Sequence, residues 1–150
     1  MIGLVQRVSE ASVSIKGNEK GSIGAGVLVL VGIEEADSKE DIDWLCRKII
    51  NLRIFDDEQG VMNRSLIDID GEIMVISQFT LHASTKKGNR PSYLKAAKPD
   101  VAIPLYNQFI VEMEMQLDKD VQSGEFGADM KVSLINDGPV TIIIDTKDKK

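Results

Sequence analysis

Ile73-Met74-Val75-Ile76-Ser77-Gln78-Phe79-Thr80-Leu81-His82-Ala83 is the stretch from which the rest of the chain is read. Its first four residues form an apolar run that reads as a buried strand. Three hydroxyl or amide side chains, Ser77, Gln78 and Thr80, then emerge where that strand leaves the core. An unpaired buried group of this kind costs roughly 1–3 kcal/mol. Three of them beside a basic loop containing Gly88 and Pro91 therefore mark a candidate site.

Working outward, Asp70-Gly71 is a turn signal, so the strand is expected over 72–79. Val27-Leu28-Val29-Leu30-Val31 lacks alternation and reads as a central strand covered on both faces. Residues 2–8 and 11–16 alternate apolar and polar, the period of half-buried strands, and Gly17-Asn18 turns into a short strand near 21–23. Ser38 as N-cap, with Ile42, Leu45, Ile49 and Leu52 at helical spacing, predicts a helix over 39–51. Leu52-Arg53-Ile54-Phe55 reads as a strand ending in the turn-rich Asp56–Gly60. Residues 61–63 and 65–67 read as its continuing edge strand. Asp100 opens a second helix with the stripe Ala102, Leu105, Tyr106, Phe109, Met113 and Leu117, and Pro104 is tolerated near its first turn. Met130–Ile135 and Val140–Ile144 read as two strands joined by a turn at Asn136-Asp137-Gly138-Pro139. The expected fold is α/β: a mixed, mainly antiparallel sheet with two main helices packed on it.

With 150 residues, 43% hydrophobic and 28% charged, the chain reads as one globular domain over 1–150, with residues 146–150 a frayed tail. The start lacks the pattern of a signal peptide, and the longest apolar run is too short for a bilayer, so no membrane partner is expected. One cysteine, Cys46, excludes an internal disulfide and fits a cytoplasmic location. Cys46 and His82 together cannot complete a usual zinc set, and neither a metal nor another cofactor is expected. The net charge of −6 argues against wide nonspecific nucleic-acid binding. Lys86, Lys87, Arg90, Lys95 and Lys98 nevertheless fall in an acid-free stretch directly after the polar strand end.

Familiar hydrolase constellations are absent: there is no Gly-x-Ser-x-Gly elbow and no second histidine. Thr80 needs an adjacent base to act as a nucleophile, and His82 shares its face if the strand continues. The alternative is a surface or loop histidine with an ordinary hydrogen bond. Asn136-Asp137-Gly138-Pro139 is explained by turn formation alone, and Gly-Pro offers recognition only through backbone carbonyls and shape.

At these residues the chain resembles the D-aminoacyl-tRNA deacylase family. The matching stretches are Ser77-Gln78-Phe79-Thr80 and Asn136-Asp137-Gly138-Pro139-Val140-Thr141. Val5-Gln6-Arg7-Val8, Ala11-Ser12-Val13, Leu52-Arg53-Ile54-Phe55, Lys87-Gly88-Asn89-Arg90-Pro91-Ser92 and Gly124-Glu125-Phe126-Gly127 match as well. The resemblance implies a hydrolase of carboxylic esters with a barrel-like core in β/β/α layers, cytoplasmic and homodimeric. Its substrates would be D-aminoacyl-tRNA and Gly-tRNA, cleaved at the 3′-terminal adenosine. It further implies that Gly138-Pro139 is a Gly-cisPro dipeptide inserted into the partner's pocket, where its carbonyls hold the substrate α-amino group and exclude an L side chain. Ser77, Gln78, Phe79 and Thr80 would form the catalytic half, with the Phe79 N–H as an oxyanion donor. Arg7, Met130 and Asn136 are supporting positions, and Lys86, Lys87 and Arg90 would meet the tRNA backbone. Within the family Thr80 has been regarded as a nucleophile, while a competing view gives the chemistry to the adenosine 2′-OH. The second view is preferred here, since no secure base for Thr80 is evident. The chain departs from the family at His82-Ala83-Ser84, where Tyr and then Ala-Asp are usual, so His82 is expected to be dispensable. Two other readings stay open: a non-catalytic dimeric RNA-end-binding protein, and an esterase with Thr80 as nucleophile.

Overall fold

The computed structural model describes residues 1–150. In chain order the elements are β1 (Ile2–Ile15), β2 (Asn18–Ile23), β3 (Gly26–Gly32), α1 (Lys39–Asn51), β4 (Phe55–Asp56), β5 (Met62–Arg64), β6 (Glu72–Ser77), α2 (Pro99–Leu117), β7 (Gln122–Ser123) and β8 (Met130–Asp145). The main sheet runs β2-β1-β3-β6-β7, with β8 also paired to β1. Its pairings are antiparallel except for β3–β6 and β6–β7, which are parallel. The ends of this path curl toward each other, since a Cβ on Gly21 of β2 would lie 2.7 Å from Gln122 Oε1 of β7. The sheet is thereby an almost closed barrel.

This curl gives the sheet two apolar faces. Val27, Val29 and Val31 of β3, with Ile73 and Val75 of β6, join the core beneath α1 and α2. Leu28, Met74 and Ile76 point the other way, into the barrel with Val8, Ala11, Val13 and Ile23. Because successive side chains on a strand alternate faces, burial on both sides explains the unbroken apolar runs.

Both helices bury most of the predicted stripes, Ile42, Leu45 and Ile49 with Cys46 on α1, and Ala102, Tyr106, Phe109 and Met113 on α2, while Leu52, Leu105 and Leu117 are partly buried against the core. At the start of α1 the Asp41 carboxylate accepts the Ser38 N–H at 2.9 Å. The second helix is capped by Lys98, two residues before the expected N-cap Asp100, with Pro99 in its first turn. Proline's missing N–H costs nothing there.

Several expectations need correction. Residues 2–15 are one strand rather than two, because β8 and β3 pair along it without a break in direction. Only Phe55–Asp56 and Met62–Arg64 pair in the small hairpin, and 65–67 are a turn stabilised by Asp68 accepting the Ser65 N–H at 2.8 Å. The strand expected over 72–79 stops at Ser77, and Phe79–His82 form one turn of 3-10 helix. The tail is not frayed through its first residues. Thr146 is buried and accepts the Met1 ammonium at 3.0 Å, and Lys147 pairs with Asp41 at 2.9 Å.

The largest correction concerns Asn136-Asp137-Gly138-Pro139. Both flanks pair antiparallel with the same strand: Glu10–Ile15 against Met130–Ile135, and Ile2–Gln6 against Thr141–Asp145. The chain therefore keeps its direction. Between the pairs Gln6↔Thr141 and Val8↔Asn136, β8 runs through Asp137, Gly138, Pro139 and Val140 opposite Arg7 alone. Four strong turn formers thus make an outward bulge in one long strand instead of a hairpin.

Candidate active site

The parallel pairing of β6 with β3 ends at Ser77, and the Gln78 N–H makes the last bond to Val31 O at 2.8 Å. The next residues turn at once: Leu81 N–H bonds to Gln78 O and Ala83 N–H to Thr80 O. At the start of this turn the Phe79 and Thr80 N–H groups have no partner within it, as at any helix beginning. Gly32 permits the close approach of the turn to β3. A Cβ there would lie 3.0 Å from Leu81 Cβ and 3.1 Å from Gln78 O.

Ser77, Gln78 and Phe79 line a cleft of about 330 Å³ whose opposite wall is Phe126, Gly127, Ala128, Asp129, Met130 and Val132. Phe126 is fixed from behind by Tyr106, with ring centroids 5.9 Å apart. Tyr106 in turn donates its hydroxyl to Val75 O at 3.0 Å, and burial pushes its phenol up to about 12. Gly124 makes room for Met130, whose sulfur occupies the place a Cβ would need. The cleft thus has an aromatic and thioether wall facing a polar strand end, suited to a flat ring bearing a hydroxylated appendage.

Thr80 does not line this cleft. Its hydroxyl accepts the Gln78 side-chain amide at 2.5 Å. His82 is 5% exposed, and neither ring nitrogen has a hydrogen-bond partner. The strand-based Thr80–His82 pair is therefore not formed. The 3-10 turn rotates the two residues off the common face that a strand would have provided. Burial also pushes the Cys46 thiol up, and its Sγ contacts Phe109 O at 3.8 Å, consistent with a packing role.

The bulge is built as carefully as the cleft. Asn136 bridges it: its Oδ1 accepts the Val140 N–H at 2.8 Å and its Nδ2 donates to Thr141 Oγ1 at 2.9 Å. Arg7, 8% exposed, donates Nε–H to Asp137 O at 2.7 Å and Nη1–H to Ile54 O at 2.6 Å. The Gly138–Pro139 peptide is cis, and Gly138 has φ of 143°, a conformation that favours glycine. Gly138 and Pro139 are both exposed, and neither lines the cleft at Ser77–Phe79. Met130 joins the cleft, whereas Arg7 and Asn136 hold the bulge. Of the basic residues, Lys86, Lys87 and Arg90 are exposed on the loop beyond the turn and form no ion pair.

Residue-by-residue reading of the sequence missed Phe126 as a cleft wall, Gly32 as the contact that seats the turn, and Tyr93. The Tyr93 ring meets Phe79 edge to face at 5.0 Å between centroids. The spacing of Gly124 and Gly127 around Phe126 was the available signal for the first. Nothing local signals the other two, because each depends on a contact between segments far apart in sequence.

The family model described as D-Tyr-tRNA(Tyr) deacylase matches residues 4–145. A protein of Bacteroides fragilis named D-aminoacyl-tRNA deacylase is 67% identical over 147 residues, covering 98% of each chain. One of the same name from Christiangramia forsetii is 63% identical over 150 residues, covering both chains in full. Among solved structures, the c-Myc DNA Unwinding Element Binding Protein superposes with a TM-score of 0.92 at 39% identity, over 97% of this chain and 99% of its own. A probable eukaryotic D-amino acid tRNA deacylase, at 17% identity, shares the fold with a TM-score of 0.82.

Proposed function

The chain belongs to the D-Tyr-tRNA(Tyr) deacylase family, and from that premise we propose that it hydrolyses the ester joining a D-amino acid, or glycine on a mismatched tRNA, to the 3′-terminal adenosine of tRNA. The protein acts in the cytoplasm as a homodimer. Water adds to the ester carbonyl with assistance from the neighbouring 2′-OH, the bond to the 3′ oxygen breaks, and the amino acid leaves as its carboxylate. The Phe79 N–H receives the negative charge that develops on the carbonyl oxygen, and the adenosine lies against Phe126 and Met130. Carbonyls of Gly138-Pro139 from a second copy hold the α-amino group. This leaves no space for an L side chain, whereas a D side chain points away.

One observation carries this reading. The chain presents two prepared half-sites, an aromatic-walled cleft at a strand end and a braced, outward Gly-Pro bulge, and the bulge does not line its own cleft. A second copy supplies the missing half to each. Thr80, engaged by Gln78 and lacking a base, is a positioning residue in this scheme. Lys86, Lys87 and Arg90 meet the acceptor-end backbone.

The test is hydrolysis of D-Tyr-tRNA and L-Tyr-tRNA by the purified protein. Turnover of the D ester alone is expected, and equal rates sink chiral exclusion. Replacing the terminal 2′-OH by hydrogen should abolish turnover. Persistence of activity would restore Thr80 as the nucleophile.

A further inference from the structure

Phe79 and Tyr93 are 54% and 40% exposed although their rings are packed together, and the adjoining Leu94 is 95% exposed. The chain has only four Phe and two Tyr, and it hides Phe109 and Tyr106 completely or nearly so. Leaving an aromatic pair in water beside a leucine is therefore notable. The pair is also held still. Gln78, next to Phe79, is tied to Val31, while the loop carrying Tyr93 is clamped by reciprocal Ser84–Ser92 backbone bonds of 2.8 and 2.9 Å. Just beyond Tyr93, Ala96 N–H bonds to Tyr93 O at 3.1 Å and Ala97 N–H to Ile33 O at 2.9 Å.

Charge selects the occupant. Lys86, Lys87, Arg90, Lys95 and Lys98 surround Tyr93 in sequence with no acid among residues 86–98, in a chain whose net charge is −6. Exposed rings interleaved with cations are the arrangement that holds unpaired nucleic acid, through base stacking and phosphate contacts that do not depend on sequence. Phe79 is common to both features: it lines the cleft and touches Tyr93. A nucleoside seated in the cleft would therefore lie beside the aromatic pair.

We propose that Tyr93, packed on Phe79 and flanked by Leu94, is a stacking platform for the unpaired nucleotides immediately 5′ of the terminal adenosine, whose phosphates meet Lys86, Lys87 and Arg90. The inference rests on the deacylase reading above and gives it an RNA track outside the reacting centre. It explains how an acidic protein takes hold of a tRNA: through one short single-stranded segment, with no need of a broad basic face.

Tyr93→Ala, Tyr93→Phe and the unaltered protein are compared on D-Tyr-tRNA and on D-tyrosyl-adenosine, which has no 5′ nucleotides. Losing the ring should raise KM for the tRNA about tenfold or more while kcat holds. That penalty should vanish on the adenosine ester, and Tyr93→Phe should behave as the unaltered protein. An uncharged RNA minihelix with a single-stranded 3′ end, followed by fluorescence anisotropy, should lose affinity with Tyr93→Ala by the same factor. An unchanged KM, or an equal penalty on both substrates, overturns the proposal. So does dissociation of a dimer in Tyr93→Ala by sedimentation, which assigns the patch to a second copy. If the unaltered protein binds the minihelix through Tyr93 yet cleaves neither ester, the deacylase reading falls and the platform stands. Normal turnover with Tyr93-independent binding removes the platform alone.

Discussion

Arg7 is the side chain that carries the bulge. Its guanidinium spans Asp137 O and Ile54 O, two carbonyls that lie 83 residues apart in sequence. A lysine keeps the charge and loses the fork, leaving a carbonyl unpaired. Arg7→Lys should therefore lower the unfolding free energy by about 1–3 kcal/mol, read by urea titration. His82 presents the opposite case. It is buried with both nitrogens unpartnered and touches neither half-site by a hydrogen bond. His82→Ala should keep D-Tyr-tRNA turnover, and loss of turnover at unchanged stability would return the histidine to the mechanism. Gly32 was invisible to sequence reading but seats the turn that carries Phe79, against Leu81 and Gln78 O. Adding a methyl group 3.1 Å from Gln78 O must move the turn by a few tenths of an ångström. Gly32→Ala should cut kcat about tenfold with little change in melting temperature, since small displacements of positioned groups are costly to rate.

Among the elements, α1 shows how electrostatics anchors the chain ends. Burial alone pushes the Asp41 carboxyl up, but hydrogen bonds from Thr146, Lys147 and the Ser38 N–H outweigh it and hold the carboxyl well below the usual range. A carboxyl depressed in the folded state stabilises above its unfolded value near 3.9, and the gain is lost as pH falls below that. Thermal stability should thus drop between about pH 5 and pH 2, and Asp41→Asn should flatten that drop while lowering stability at neutral pH. The long strand β8 carries the functional surprise. Its two halves were legible as two strands, and Asn136-Asp137-Gly138-Pro139 was legible as a place where the chain leaves regular structure. What local signals did not reveal was that β1 continues past the interruption and pairs with both halves. Turn residues report a local change of backbone conformation; whether the chain reverses depends on the partner strand.

For the whole molecule, the separation of bulge and cleft predicts complementation. Gly138→Val places a side chain against Arg7 and Val140 at a φ of 143°, and Phe79→Pro removes the N–H proposed as the oxyanion donor. Each variant should be inactive alone, and co-expression of the two should restore D-Tyr-tRNA turnover in mixed dimers, each holding one intact site. If restoration fails while circular dichroism shows both variants folded and sedimentation shows them mixed, the two halves do not combine across copies.

Taken from the chain alone, the periodicity of α1 and α2, the two-faced strands β3 and β6, and the polar residues at Ser77–Thr80 were all readable. They follow from burial patterns within a few residues of each other. The family resemblance was readable too, from motifs spread over nearly its full length. The three-dimensional structure decided the rest: the strand ending at Ser77, the bulge in place of a hairpin, the seating of the turn on Gly32, and the exposed Tyr93 against Phe79. Each of these is set by contacts between distant segments, and a linear sequence encodes such contacts only through the packing of the finished fold.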